Sequence, residues 1–165
     1  MKLFDIVNTP LSGINLIEAS AGTGKTYAIE GLYVRLIVEK TMPVDRILVV
    51  TFTRAAAGEL KERIRKKLLS AKDAFIRNGC DDPVINALVT GLNNKAQAKE
   101  NIQNALINFD EAAIFTIHGF CQKLLNENSF ETNSPFASEI ISDQIDLFKE
   151  IAEDFWRLNF YSAPP

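Results

Sequence analysis

Apolar residues along this chain fall into short continuous runs and longer periodic ones. Ile14–Glu18 reads as a short buried strand, and Ile47–Val50 is a continuous apolar run, the pattern of a parallel strand covered on both faces. Between them Ile29, Leu32, Tyr33, Leu36 and Ile37 recur at i, i+3, i+4, i+7 and i+8, one face of a helix that Pro43 closes. Strand, helix, strand is a βαβ unit. A second helix is expected from about Arg54, with Ala56, Leu60, Ile64 and Leu68 on its buried face. Glu59–Arg63 and Glu62–Lys66 are i,i+4 pairs on its wet side.

Residues 78–110 read as a helical insertion. Asp82-Pro83 has the form of an N-cap followed by proline at the first helical position, opening a helix to about Leu92. Another helix runs from about Lys95 to Phe109, with Ile102, Ala105, Leu106 and Phe109 on one face. Ile114–Ile117 returns to strand and leads into a helix using Phe120, Cys121, Leu124 and Leu125. A polar loop at Asn128–Pro135 precedes a last amphipathic helix carrying Ile145, Phe148, Ile151, Ala152 and Phe155. The expected class is α/β, a parallel sheet with strands near 14–18, 47–51 and 114–117 and helices on both faces.

Composition narrows this little. The 165 residues are 47% hydrophobic with a net charge of −3, which neither demands nor excludes nucleic acid, since a local basic track suffices. Cys80 and Cys121 lie far apart with no CxxC, which speaks for a reduced protein without a disulfide framework. His118 is the one histidine, an argument against a zinc site. The start of the chain has no apolar signal core and no apolar run approaches a membrane span, so a cytoplasmic setting with no membrane partner is expected.

The sharpest chemical signal is Ala19-Ser20-Ala21-Gly22-Thr23-Gly24-Lys25-Thr26. It fits the phosphate-loop pattern GxxxxGK[ST] except that Ala19 stands where the first glycine would, and it joins a predicted strand to a predicted helix. Gly22 and Gly24 allow the sharp turn that brings backbone N–H groups to phosphate oxygens, and the helix N-terminus adds its positive dipole end. Lys25 would reach the β and γ phosphates of ATP, and the Thr26 hydroxyl would bind Mg²⁺. Such a loop alone serves kinases, transporters and GTPases equally.

Two further segments stand at strand ends, where open α/β sheets bind ligands. In Thr51-Phe52-Thr53-Arg54, Phe52 reads equally as a base-stacking platform for single-stranded nucleic acid and as a core residue. Thr53 and Arg54 suit phosphate contacts. Thr116-Ile117-His118-Gly119 repeats the layout; His118 by itself reads more readily as a structural hydrogen-bonding residue than as a DNA contact. The basic run Lys61, Arg63, Arg65, Lys66 and Lys67 reads as a solvated helix face.

Taken in order, ASAGTGKT, VTFTRAAAGELKERI and IFTIHGFCQKLL resemble motifs I, Ia and Ib of UvrD/Rep-like superfamily 1 DNA helicases. LIEASAGTGKT and TIHGFCQKLL, followed by FET and later DFWR, resemble the RecB-type branch, the β subunits of exodeoxyribonuclease V. The resemblance covers nearly the whole chain and is weakest over residues 70–108. It implies a RecA-like P-loop fold, with residues 1–128 part of the first motor domain and 129–165 the start of an inserted helical subdomain. It implies ATP and Mg²⁺ at Ala19–Thr26, with Lys25 and Thr26 catalytic. It also implies a single-stranded DNA path over Phe52, Thr53, Arg54, Thr116 and His118. The whole protein would unwind double-stranded DNA and degrade it in repair and recombination, in a heterotrimer with RecC- and RecD-like subunits.

The chain departs from the family at the adenine-reading glutamine: none occurs before Gln97. Leu106–Ala113 imitates a Walker B motif ending in Asp110-Glu111, but its apolar spacing is helical. Without that motif or a second motor domain, these residues are expected to be an inactive portion of a longer helicase. Two other readings are a stand-alone P-loop ATPase or kinase that uses Asp110-Glu111, and an inactive P-loop interaction module.

Overall fold

The computed structural model describes residues 4–20, 22–129 and 144–161. The described chain is mixed α/β, mostly helical, with one small parallel sheet. Helix α1 spans Lys25–Lys40, a 3-10 turn Val44–Arg46 follows, and strand β1 is Val49–Thr51. Helices α2 (Arg54–Arg77), α3 (Pro83–Gly91) and α4 (Lys95–Ile107) then cross to strand β2 (Ile114–Thr116). Helix α5 is Ile117–Glu127 and helix α6 is Ile145–Phe160. Among the described residues no helix is long and apolar enough to cross a membrane.

The chain divides into two compact units, Met1–Cys121 and Gln122–Pro165. In the first, α2 lies among α1, α3, α4 and the sheet. It buries Leu60, Ile64, Leu68, Ala71 and Phe75, so three of its four expected core positions hold and Ala56 is exposed. Ile102 and Phe109, from α4 and the turn after it, and Tyr33, Val34 and Ile37 from α1 complete this core. Both i,i+4 pairs form, Arg63 to Glu59 at 2.7 Å and Lys66 to Glu62 at 2.6 Å. Asp82 caps α3 through the N–H groups of Val84 and Ile85, with Pro83 at the first helical position, as its sequence implies.

Four expectations need correction. Residues 14–18 are not a strand: among the described residues the sheet has only β1 and β2, and Ile14 and Leu16 are exposed. An apolar run becomes a parallel strand only where another strand offers its backbone groups, and none does so here among the described residues. The buried side of α1 is wider than its predicted stripe and turned from it. It carries Ala28, Gly31, Val34 and Val38, while Ile29 faces out, because α2, α3 and α4 all pack on this helix. At Gly31 a Cβ would stand 2.9 Å from Ile6 Cγ2, so the segment before the phosphate loop packs directly on α1. Lys67 is no part of a solvated face: it is 7% exposed and paired with Asp82. Helix α5 also begins at Ile117, so the strand ends at Thr116, one residue before its apolar run does.

In the second unit, α6 has the expected helical form, and Ile145, Phe148, Ile151 and Phe155 are exposed along it. Trp156 stacks on Phe160 with ring centres 4.4 Å apart. The expected loop at 128–135 and the FET segment lie, from residue 130 onward, outside the described residues.

Candidate functional site

Helix α1 begins at Lys25 with Gly24 as its N-cap, and no side chain caps it. Its first N–H groups are therefore left for a ligand or solvent. Gly24 has φ +90° and Gly22 φ +76°, both in the left-handed region that a side chain disfavours. Neither glycine has an atom within 4 Å of where a Cβ would stand, so backbone conformation and not crowding selects glycine here. Lys25 folds back across the loop: its Nζ donates to Ala19 O at 2.7 Å and Ser20 O at 3.1 Å. The Thr23 hydroxyl donates to Ser20 O at 2.7 Å. Thr26 lies in the first turn and is half-buried; Ala21 lies outside the described residues. An exposed ammonium, two left-handed glycines and an uncapped helix start make a fitting cradle for phosphate. Gly24→Ala should strain that turn by about 1–2 kcal/mol. The expected outcome in an ATP titration is roughly tenfold weaker binding, and unchanged affinity would show that the turn does not shape the site.

The two strand ends meet. β1 and β2 pair in parallel with Val49 opposite Ile114 and Thr51 opposite Thr116. Each strand runs from its last threonine into a helix start. Thr53 caps α2 by accepting the Ala56 N–H at 3.1 Å, and the Thr51 hydroxyl donates to Thr53 O at 3.1 Å. On the neighbouring strand the Thr116 hydroxyl accepts the Gly119 N–H at 3.0 Å. A Cβ on Gly119 would lie 3.1 Å from that hydroxyl, which accounts for a glycine at this turn. Phe52 is 87% exposed, so it is not a core residue of this unit. Arg54 and His118 are also exposed. The carboxyl end of the two strands therefore presents an aromatic ring, a guanidinium, an imidazole and two helix N-termini.

A family model described as the UvrD/REP helicase N-terminal domain matches residues 3–161. The chain belongs to this family. It is 42% identical to the RecBCD enzyme subunit RecB of Escherichia coli strain K12, over 99% of the chain and 14% of that protein. It is 41% identical to the RecB subunit of Haemophilus influenzae over 94% of the chain, and 36% identical to that of Mycolicibacterium smegmatis over 97%. The chain spans 14–15% of the length of these curated relatives. Membership of the UvrD/Rep family implies use of ATP and Mg²⁺ in general.

Asp110 and Glu111 occupy a 3-10 turn between α4 and β2, and both are exposed. They do not end a strand, so the geometry that a Walker B carboxylate requires is not present there. The site reading from sequence passed over Tyr27, Lys67 and Asp82, which gather beside the phosphate loop. Tyr27 donates to Asp82 Oδ1 at 3.2 Å, and Lys67 donates to Asp82 Oδ2. Only the position of Tyr27 directly after Thr26 signalled this in sequence. Burial raises the Asp82 pKa, but the hydrogen bonds from Lys67 and the Ile85 N–H outweigh it and hold the carboxyl below its usual range. Burial, with the Asp82 charge second, pushes the Tyr27 hydroxyl up.

Proposed function

We propose that this chain is the ATP-binding opening portion of a RecB-type subunit, an ATP-dependent DNA helicase and exonuclease acting in double-strand break repair and recombination. In this reading the complete polypeptide unwinds double-stranded DNA in the cytoplasm, with RecC- and RecD-like partners. Residues 1–128 form part of a RecA-like motor domain, and 129–165 begin a helical subdomain.

The observation that carries the reading is the register pair Thr51–Thr116, which starts the Phe52–Arg54 and Ile117–His118 segments side by side at the carboxyl ends of neighbouring strands. Phe52 would stack on a base, while Thr53, Arg54, Thr116 and His118 would hold the strand's backbone. The N–H groups of Gly22–Thr26 would hold the phosphates of ATP, Lys25 would neutralise their charge, and the Thr26 hydroxyl would bind Mg²⁺. ATP with Mg²⁺, when bound, would supply the phosphoanhydride bond whose hydrolysis drives the motor. Lys25 would then exchange the carbonyls of Ala19 and Ser20 for phosphate oxygens, a stronger, charge-assisted pairing.

Phe52→Ala tests the DNA edge. In the complete polypeptide it should weaken single-stranded DNA binding by about 1–3 kcal/mol, the worth of one base stack, and leave ATP affinity without DNA unchanged. Fluorescence anisotropy with a labelled oligonucleotide reads the effect. Wild-type DNA affinity would remove Phe52 from the DNA path.

A further inference from the structure

Tyr27 stands one residue after Thr26 in the first turn of α1, and its side chain reaches away from the phosphate loop to two other elements. Its hydroxyl donates to Asp82 Oδ1, the cap of α3. The Lys67 ammonium, from α2, sits 3.9 Å from the centre of the Tyr27 ring. Lys67 also donates to the second oxygen of Asp82, while Oδ1 accepts the Val84 and Ile85 N–H groups at 3.1 and 3.0 Å. One carboxylate thus joins α1, α2 and the start of α3.

The phosphate loop has few other fixtures. The side-chain bonds of Thr23 and Lys25 stay within the loop, and α1 has no side-chain cap. Among the described residues 16–28, Tyr27 is the one whose side chain hydrogen-bonds to another element, at Asp82 and the Val84 N–H. Two left-handed glycines make the loop pliable on one side of Lys25 and Thr26. The Tyr27 anchor fixes the helix on the other side. Packing by α2, α3 and α4 holds α1 as a body, and the charge-assisted hydrogen bond adds a directional restraint at its first turn.

We infer that Tyr27, Asp82 and Lys67 are positioning residues for Lys25 and Thr26, setting where the ammonium and the hydroxyl meet the phosphates. This rests on the phosphate-loop reading above. It also gives residues 78–110 a role in the nucleotide site, because the cap of their first helix is the anchor of the loop.

The test is ATP turnover by the complete polypeptide carrying Tyr27→Phe, Asp82→Asn or Lys25→Ala, with thermal unfolding of each. Tyr27→Phe keeps the ring beneath Lys67 and deletes only the hydroxyl. Asp82→Asn keeps a capping oxygen for α3 and deletes the charge. Both should lower kcat by about tenfold, the scale of a sub-ångström misplacement of a reacting group. DNA affinity should be unchanged, and for Tyr27→Phe the unfolding midpoint should stay within about 2 °C of wild type. Wild-type kcat and KM in Tyr27→Phe and Asp82→Asn, beside an inactive Lys25→Ala, would overturn the positioning role and spare the phosphate loop. In Tyr27→Phe, which keeps the Lys67–Asp82 pair, a loss of turnover that merely tracks loss of folded protein would overturn it too. Full turnover by Lys25→Ala would sink the phosphate-loop reading and take this inference with it.

Discussion

Lys25→Ala in the complete polypeptide is expected to cut DNA-stimulated ATP hydrolysis by about 10²–10³-fold or more, the effect of removing a pre-placed stabiliser of developing charge. The ammonium is held over the loop by the Ala19 and Ser20 carbonyls, 2.7 and 3.1 Å away. Their loss on phosphate binding is a small cost, because neutral carbonyls are exchanged for anionic oxygens. ATP binding should weaken less than turnover, since the N–H groups of Gly22–Thr26 survive the substitution. The check is steady-state phosphate release with and without single-stranded DNA. DNA-stimulated hydrolysis at the wild-type rate would exclude Lys25 from the chemistry.

The second large effect is on stability. Asp82→Ala should destabilise the chain by about 3 kcal/mol, at the lower end of what breaking a buried ion pair costs because the Asp82 side chain is itself about a quarter exposed. Lys67, almost fully buried, would lose its carboxylate partner and have only the Tyr27 ring left beside it. The Val84 and Ile85 N–H groups would lose their cap. The sign of the pH dependence follows from the carboxyl's depressed pKa. A carboxyl held below its unfolded value of 3.8 contributes stability fully present above that value and lost as pH falls through the folded one. The gap between wild type and Asp82→Ala should therefore be widest near neutral pH and narrow as pH falls below about 4, the charge contribution being lost while that of the cap and packing remains. Urea denaturation at pH 7 and pH 3 measures it, and an equal gap at both would show that the cap and packing, not the charge, carry the effect.

Much of this site could be read from residue types alone. Gly-Thr-Gly-Lys-Thr at a helix start, Thr53 before α2 and Asp82-Pro83 before α3 are local signals. Each depends on a backbone conformation or a hydrogen bond spanning two or three residues, so the chain next to it suffices to set it. The same holds for the periodic face of α2, where Leu60, Ile64 and Leu68 are buried as spaced. The helical spacing of Ile102, Ala105 and Phe109 likewise kept Asp110-Glu111 out of a strand.

Partner choice is where local signals ran out. Residues 14–18 read as a strand by the same local signs as 47–50, with Asn15 and Glu18 among their apolar residues, yet only 49–51 found a partner strand, because a parallel strand is made with a segment far away in sequence. Phe52 in sequence fits core and surface alike; its exposure depends on which elements cover the strand end. Lys67 belongs by composition to a basic run, but it sits on the side of α2 turned towards α1 and α3, where Asp82 and Tyr27 meet it. Sequence determined the helices, their caps and the chemistry carried at each loop. Only the tertiary structure decided which strands pair and which charge is buried, because pairing and burial are set by residues brought together from distant parts of the chain.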